Sequence, residues 1–236
     1  MKNLIMEQQM KLSNDTLNVL KNFGNINQGI YFKQGKVLKT VSSGKNILAE
    51  VTINEEIPTN FGVYNIHEFL SVISLHKETP TFEFTDKSAV IVGNKGRSKT
   101  NYRFCDPSML SLPPEKQIQM PDAEISFELT AEDFDWILRS ASVLGLPNIA
   151  VESDGTKIKV LTLDAANDAA HNECLEIKDG NNDKYRMVFK TENITKILPG
   201  AYDVRISSKG ISHFTNKKIP LQYWITTEAG SKFEKA

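Results

Sequence analysis

Apolar residues recur at helical spacing in four segments of the chain, and three of these segments follow a residue that caps helices well. The caps are Ser13, Asn65 and Thr130, whose side chains can accept a hydrogen bond from the first helical turn. The fourth segment, TENITKILPG, is short and is stopped by Pro199-Gly200. We therefore predict four helices, and we expect the first to end at Gly24.

Most of the remaining chain alternates apolar and polar residues, as half-buried strands do. The alternating segments are GIYFKQGKVLKTV, TFEFTDKSAVIV, IAVESDGTKIKVLTL, AYDVRISSKGISHF and LQYWIT. Between the second and third of these segments lies DPSMLSLPPEKQIQMPD, residues 106–122, which is rich in proline and lacks a clear period. This segment is the best linker in the chain.

The two sides of that linker repeat each other. KLSNDTLNVL matches ELTAEDFDWI, and YNIHEFLSVI matches FKTENITKIL, so both sides run helix, strands, helix, strands. The repeat predicts an α+β fold built from two duplicated domains. We expect an extension at residues 1–9, a first domain at 10–105, a connector at 106–122 and a second domain at 123–236.

Composition narrows the class of protein without naming a function. The chain has 236 residues, 40% of them apolar, which is enough for two cores. No apolar run is long enough to span a bilayer, and MKNLIMEQQ does not resemble a secretory signal, so we expect a cytoplasmic protein. Cys105 and Cys174 form no CxxC motif and are interpreted as reduced thiols. At a net charge of −1, a nucleic-acid binder would have to segregate its basic residues.

Three stretches suggest sites of chemistry, and each is better explained by structure. GNKGRSKTNYRF has the wrong spacing for a phosphate-binding loop and is followed by a strand pattern, which favours a hairpin turn. DAANDAAHNE could offer metal ligands, but a loop of small residues is the stronger interpretation. His67 and His76 are too far apart to form a metal pair on one helix. We find no catalytic centre, and we predict a protein that is not an enzyme and holds no metal or cofactor.

The polar faces of the predicted helices are more informative. A polar face on one helix is typical of any solvated surface, but four such faces in a duplicated unit could together form a basic strip suited to phosphates. The residues on these faces are Asn14, Asn18, Lys21 and Asn22, then His67, Ser71 and Ser74, then Arg139 and Ser142, and finally Asn193 and Lys196.

Three motifs, in this order and spacing, resemble a known family. MKLSNDTLNVLKNFGNINQGI, ILPGAYDVRISSKG and LQYWITTEAGS are similar to the DNA sliding clamps of T4-type bacteriophages and, more distantly, to proliferating cell nuclear antigen. The likeness runs from Met10 to about Ser231. It implies a head-to-tail homotrimeric ring with pseudo-six-fold symmetry around duplex DNA, which tethers the replicative DNA polymerase. It also implies loading by an ATP-dependent clamp loader, in the cytoplasm of an infected bacterium, and leaves open a role with a sigma-like factor in late transcription.

The resemblance assigns three sets of residues to this sequence. The first would face DNA in the central hole, the second would form an apolar pocket for partner peptides between the two domains, and the third would lie at the subunit interface. A partner strand for that interface is expected near Asn172–Ile177. In that order, the sets are Lys11, Lys21, His67, Arg139, Lys190 and Lys196; Leu110, Leu112, Ile118, Tyr223, Trp224 and Ile225; and Lys99, Tyr102, Phe104 and Cys174.

Two alternatives to the clamp remain at this point. One is a duplicated, β-rich phage structural protein that forms a ring or tube without DNA, and composition alone does not separate it from a clamp. The other is an enzyme of a type that the motifs do not reveal. The basic residues on the helix faces and the apolar connector favour the clamp. Plain core packing is an equally good explanation of Trp224.

Overall fold

The computed structural model describes residues 9–76, 78–116 and 118–236. The chain divides into two compact units, Met1–Pro114 (unit 1) and Glu115–Ala236 (unit 2). The division falls inside the segment 106–122. Of the expected N-terminal extension, residues 1–8 lie outside the described residues, and Gln9 begins the first strand.

Unit 1 contains two helices packed beside antiparallel strands. Four strands form a sheet in the order β1-β6-β7-β8, β3 pairs with β4, and β2 pairs with β5. The helices are α1 (Asn14–Ile26) and α2 (Ile66–Ser74); the strands are β1 (Gln9–Met10), β2 (Ile30–Phe32), β3 (Gly35–Val41), β4 (Ile47–Ile57), β5 (Phe61–Val63), β6 (Thr81–Phe84), β7 (Ser88–Gly93) and β8 (Ser98–Arg103).

Unit 2 repeats the order of helix, strands, helix and strands. A five-stranded sheet has the order β12-β11-β10-β13-β17, and β16, β15, β14 and β9 are paired in that order. The helices are α3 (Ala131–Leu144) and α4 (Thr191–Ile194); the strands are β9 (Ile125–Leu129), β10 (Asn148–Asp154), β11 (Lys157–Leu163), β12 (Glu173–Asp179), β13 (Lys184–Lys190), β14 (Tyr202–Ser207), β15 (Ile211–Asn216), β16 (Leu221–Thr226) and β17 (Lys232–Glu234).

The three predicted helix caps are confirmed. The side chains of Ser13, Asn65 and Thr130 accept hydrogen bonds from the backbone N–H groups three residues later. The predicted end of α1 at Gly24 is wrong, because the helix continues to Ile26, whose side chain is buried. A Cβ at Gly24 would lie 3.0 Å from Cε1 of His67, so this glycine allows α2 to approach α1 closely.

An aromatic cluster fills the core of unit 1. Phe32 and Phe61 stack with ring centroids 4.4 Å apart, and Phe104 also stacks on Phe61, with centroids 4.8 Å apart. Tyr102 meets Phe69 edge to face at 5.1 Å. Because Tyr102 and Phe104 come from β8 and its end, this strand is fixed to the core by one of its two faces.

The core of unit 2 centres on Tyr202 and Tyr223, which are both fully buried. The Tyr202 hydroxyl donates to the carbonyl oxygen of Leu198, and the Tyr223 hydroxyl accepts from the backbone N–H of Leu198 at 3.1 Å. Both tryptophans of the chain belong to this unit. Trp136 lies half-buried on α3, and the buried Trp224 on β16 stacks against His213 at 4.8 Å.

The stretch GNKGRSKTNYRF forms a turn and an edge strand, as predicted. A short 3-10 turn spans Asn94–Gly96, with positive φ angles at Asn94, Lys95 and Gly96. The following β8 pairs with β7 and is the last strand of its sheet. In unit 2, β12 is likewise the last strand at one end of its sheet.

Candidate nucleic-acid interface and partner surfaces

In unit 1 the polar face of α1 meets the end of α2 around an open cavity of about 470 Å³. Asn14, Asn18 and Lys21 line it from α1, and Ser74 lines it from α2. The exposed His67 of α2 packs over Gly24 of α1. Gly24 follows Lys21 by three residues, which is close to one helical turn. The structure therefore gathers Lys21 and His67 on one polar surface made by both helices.

Two other predicted members of the helix faces have different positions. Lys11 is exposed and lies two residues before the N-cap Ser13 of α1. Asn22 is buried, with 7% of its surface exposed, and the prediction that it faces solvent is wrong. Asn22 follows Lys21 by one position, which turns its side chain about 100° around the helix towards the core.

In unit 2 the basic residues predicted to face DNA are less accessible to phosphates than those of unit 1. The Arg139 guanidinium on α3 forms an ion pair with Asp135 at 3.0 Å, and both side chains are largely exposed. Such exposed pairs contribute only about 0–1 kcal/mol, so a phosphate could compete for Arg139. Lys190 is exposed at the N-cap of α4, and Lys196 is half-buried beyond the end of this helix.

The fourth predicted helix face is corrected at one position. Asn193 lies in α4 but is only 1% exposed, so it does not belong to a polar surface. The described α4 covers Thr191–Ile194 and is too short to show a continuous face. The sequence pattern could not reveal this, because a single turn of helix has no repeat from which to read an orientation.

The start of the connector is fastened to unit 1 by Leu110. A Cβ at Gly29 would lie 2.6 Å from Cδ2 of Leu110, and a Cβ at Gly62 would lie 3.2 Å from Cδ1. The two glycines thus form a socket for the leucine side chain. Cys105 donates its backbone N–H to Gly62 at 3.0 Å, which fixes the chain just before the connector.

Beside this anchor, the connector presents apolar side chains to solvent. Met109 is 61% exposed and Leu112 is 47% exposed, while Ile118 is half-buried in unit 2. Met109 was missed by the sequence reasoning, although its position beside Pro107 in a polar turn was a usable signal. The terminal-strand residues assigned to the same pocket, Tyr223, Trp224 and Ile225, are buried at 0%, 5% and 0% exposure.

Strand β8 separates its side chains by face. Tyr102 and Phe104 pack into the aromatic cluster, and burial, helped by the nearby Glu68 carboxylate, raises the pKa of Tyr102 to about 12. Lys99 and Arg103 are exposed on the opposite face. From Lys87 to Cys105 the sequence contains five basic residues and no acidic one. The edge of unit 1 is therefore positively charged.

Strand β12 carries the opposite charge. Glu173, Glu176 and Asp179 are exposed on it, together with one basic residue, Lys178. The exposed Cys174 lies at the same edge, and burial, the largest influence, raises the pKa of its thiol. Within unit 2, Glu176 lies 4.0 Å from Lys159 and Asp179 lies 2.7 Å from Lys157. Glu173 is the first residue of the strand and directly precedes Cys174.

The acidic loop between β11 and β12 is held by hydrogen bonds between its own residues. Asp164 Oδ1 accepts the backbone N–H of Ala166 at 2.9 Å, and Asn167 Oδ1 accepts that of Ala169 at 3.1 Å. Within the described ranges, no group of three or more His, Cys, Asp or Glu side chains is arranged to hold a metal ion. Those same ranges include no helix with the length and apolar character to cross a membrane.

Comparison with known proteins gives matches to both units. A family model described as DNA polymerase processivity factor matches residues 13–112, and one described as gp45 sliding clamp, C terminal, matches residues 126–229. The sliding clamp of Vibrio phage KVP40 is 30% identical over 226 residues, which cover 93% of this chain and 100% of that protein. The sliding clamp of Escherichia phage RB69 is 30% identical over 230 residues, covering 94% and 98%.

Solved structures agree on the fold. Proliferating cellular nuclear antigen from Entamoeba histolytica superimposes with a TM-score of 0.69 at 12% identity, covering 93% of this chain and 98% of that one. A PCNA2-PCNA3 complex from Sulfolobus tokodaii gives a TM-score of 0.66 at 11% identity, covering 94% of this chain and 100% of that one. At such identities the likeness concerns the fold alone. Together with the full-length likeness to phage clamps, it means that the chain belongs to the sliding clamp family of DNA polymerase processivity factors.

Proposed function

We propose that this clamp works as a head-to-tail ring of three chains that encircles duplex DNA and holds the polymerase at the primer end. The observation that carries the proposal is the full-length match to phage sliding clamps. It is supported by the two edge strands of opposite charge, the basic β8 in unit 1 and the acidic β12 in unit 2. Tethering raises the effective concentration of polymerase at the primer end without requiring tight binding to DNA. The alternative of a structural ring or tube without DNA is not favoured by these matches. The role is that of a scaffold without catalysis.

The polar helix faces are proposed as the lining of the central hole. Lys21 and His67 on the α1–α2 surface would approach the phosphates, with Lys11 beside them and Arg139, Lys190 and Lys196 contributed by unit 2. These charges are few, and Arg139 is already paired with Asp135. Sparse contacts of this kind bind weakly and without regard to sequence, which suits a ring that has to slide.

The seam between subunits is proposed to join β8 of one chain to β12 of the next. Among the described residues, each strand is the last of its sheet and has no partner on its outer side, and such open edges accept strands from other chains. The exposed Lys99 and Arg103 would face the acidic β12, near Glu173 and Cys174. Tyr102 and Phe104 would contribute indirectly, because their rings pack in the aromatic cluster and hold β8 in position.

The connector is proposed as the docking surface for apolar peptides of the polymerase and of the ATP-dependent clamp loader. Its accessible side chains are Met109 and Leu112, with Ile118 further along and Leu110 acting as the anchor. The buried Tyr223, Trp224 and Ile225 offer a peptide almost no exposed surface, so the proposal rests on the connector. A sigma-like factor of late transcription, in the cytoplasm of the bacterial host, would be expected to use the same surface.

Polymerase run length tests the function directly. Primed DNA is extended by the cognate polymerase, with loader and ATP, in the presence and absence of this protein. We expect much longer products when the protein is present, and an unchanged product length would overturn the proposal.

A charge-removal variant tests the proposed DNA-facing surface. Replacing Lys21, Arg139 and Lys190 by Ala should weaken binding to DNA and reduce the slope of log K against log salt by up to about one unit for each phosphate that is no longer neutralised. The matched control replaces Lys36, Lys209 and Lys218, which are also exposed but lie on strands or turns outside the proposed seam. Equal behaviour of the two triple variants would reject the assignment of the helix faces.

A further inference from the structure

The two sides of the five-stranded sheet in unit 2 differ in the strand that forms the edge and in whether the C-terminal segment covers it. At one edge, β12 has β11 as its neighbour, and no described strand pairs with its outer side. At the other edge, β13 is followed by the short C-terminal strand β17. The family match in this unit ends at residue 229, so β17 lies beyond the matched residues.

Strand β13 is the more apolar of the two candidate edge strands, although Lys184, Arg186 and Lys190 on it are basic and exposed. Tyr185, Met187 and Phe189 are buried at 6%, 1% and 1% exposure, and the strand reads KYRMVFK. Every residue of β12 is at least partly exposed, and most of them are charged. An apolar strand of high β propensity with an open edge invites pairing between chains, whereas charges on an edge discourage it.

The C-terminal segment occupies almost the whole free side of β13. Residues of β17 pair with Lys184, Tyr185 and Arg186. Further along, Val188 donates its N–H to Ser231 Oγ at 2.9 Å and accepts the N–H of Glu228 at 2.7 Å. Consequently the backbone groups of β13 that could receive another chain are already hydrogen-bonded.

Side chains hold this segment in place as well. Phe233 stacks on Tyr185 with ring centroids 6.1 Å apart. Glu234 lies across from Lys184, which gives a cross-strand pair of opposite charge. At the end of the chain, the backbone N–H of Ala236 donates to Asp183 Oδ1 at 3.0 Å.

We propose that β17 is an edge guard: it covers β13 and thereby leaves the charged β12 as the assembly edge of unit 2. When the guard is removed, β13 pairs with β13 of a second copy, which gives a two-fold symmetric contact different from a head-to-tail seam. The guard thus directs assembly by blocking the wrong edge. The inference rests on the strand order within unit 2, and it holds whether or not the chain encircles DNA.

The test starts from a chain with Lys99→Glu and Arg103→Glu, which is designed to open the proposed seam. Its mass by light scattering after size exclusion is the reference, whatever that mass is. Deletion of Ser231–Ala236 in this background should raise the mass about twofold, in a concentration-dependent manner. Unchanged mass in a chain that keeps its far-UV circular dichroism overturns the guard.

A pair of point variants in the same background keeps the test decisive if the deletion unfolds unit 2. Phe233→Pro breaks the strand and removes a donor, and Lys235→Pro makes the same change just beyond the strand. We expect dimers and faster amide exchange at residues 185–188 for Phe233→Pro alone. Equal masses for the two variants overturn the proposal. If the reference mass equals that of an assembled wild-type chain, the proposed β8 seam is rejected, and the difference between the Phe233→Pro and Lys235→Pro variants still decides whether β17 keeps β13 from pairing.

Discussion

The missing side chain at Gly29 makes room for the connector. A Cβ there would lie 2.6 Å from Leu110 Cδ2, and 3.1 Å and 3.2 Å from the carbonyl oxygens of Tyr64 and Val63. Leu110 could move aside, but the two backbone oxygens belong to fixed structure. We therefore expect Gly29→Ala to reduce the free energy of unfolding by about 1–3 kcal/mol, the usual range for overpacking.

Urea denaturation measures this change, and Gly44→Ala provides the control. The nearest atom to a Cβ at Gly44 is Asn46 Oδ1 at 3.6 Å, an ordinary contact. A Gly29→Ala chain as stable as the Gly44→Ala chain would mean that Leu110 is not anchored in this socket. Hydrogen exchange at residues 110–112 should also be faster in the Gly29 variant.

Glu55 is a second residue whose effect can be measured, because it fastens the start of α1. Its carboxylate accepts the backbone N–H of Ser13 at 2.5 Å and the hydroxyl of Thr16 at 2.8 Å. Burial alone would raise the pKa of Glu55, but these hydrogen bonds outweigh it and the pKa is lowered. The stabilisation is therefore complete above the unfolded pKa and is lost as pH falls through the folded pKa.

Glu55→Gln should lower the free energy of unfolding by about 0.5–1.5 kcal/mol at pH 7. This difference from the wild type should shrink at an acidic pH, because the hydrogen-bonded carboxylate of Glu55 is lost as the pH falls through its lowered folded pKa. Denaturation at both pH values measures it, with the neighbouring exposed Glu56→Gln as control. A gap that stays constant with pH would exclude the charged form of Glu55 as its origin.

At the scale of elements, β8 and β12 carry complementary charge, and this makes the proposed seam sensitive to salt. Reversal of the charge on β8 with Lys99→Glu and Arg103→Glu should dissociate the assembly at protein concentrations where the wild-type chain remains assembled. Adding Glu173→Lys and Glu176→Lys should restore association. Sedimentation velocity at low and high salt measures both effects, and no rescue by the second pair would argue against contact between these strands.

The sequence could predict the elements much better than the surfaces. Caps at Ser13, Asn65 and Thr130 are local hydrogen bonds, so they can be read from a few adjacent residues. The role of Gly24 could not, because it depends on His67 from another helix. Asn22 and Asn193 were misplaced for a related reason: polarity predicts exposure only on average, and long-range packing decides each position.

Whether a surface feature could be predicted likewise depended on whether its contacts are local or distant in sequence. The edge strand in GNKGRSKTNYRF was predictable from its alternation and its glycines. The socket formed by Gly29 and Gly62 was not, since the two glycines and Leu110 are far apart in sequence. The ion pair between Arg139 and Asp135 was in principle predictable, because residues four apart on a helix face each other.

At the scale of the whole molecule, assembly through β12 should change the chemistry of one thiol. Cys174 is exposed in the single chain. Because burial raises the pKa of this thiol, alkylation is best followed in mildly alkaline buffer. With Cys105 replaced by Ser, we expect Cys174 to react several-fold more slowly in the assembled wild-type background than in the Lys99→Glu, Arg103→Glu background. Equal rates, with assembly confirmed by mass, would place β12 outside the seam.

The position of both tryptophans in unit 2 has a consequence for how the molecule can be observed. Indole fluorescence reports on the surroundings of Trp136 and Trp224, whereas the phenylalanine-rich unit 1 contains no tryptophan. Far-UV circular dichroism averages over both units. If the units unfold one at a time, the two signals will report different midpoints in denaturant; if they unfold together, the curves will coincide. The chain thus contains its own optical reporter for whether its halves are cooperative.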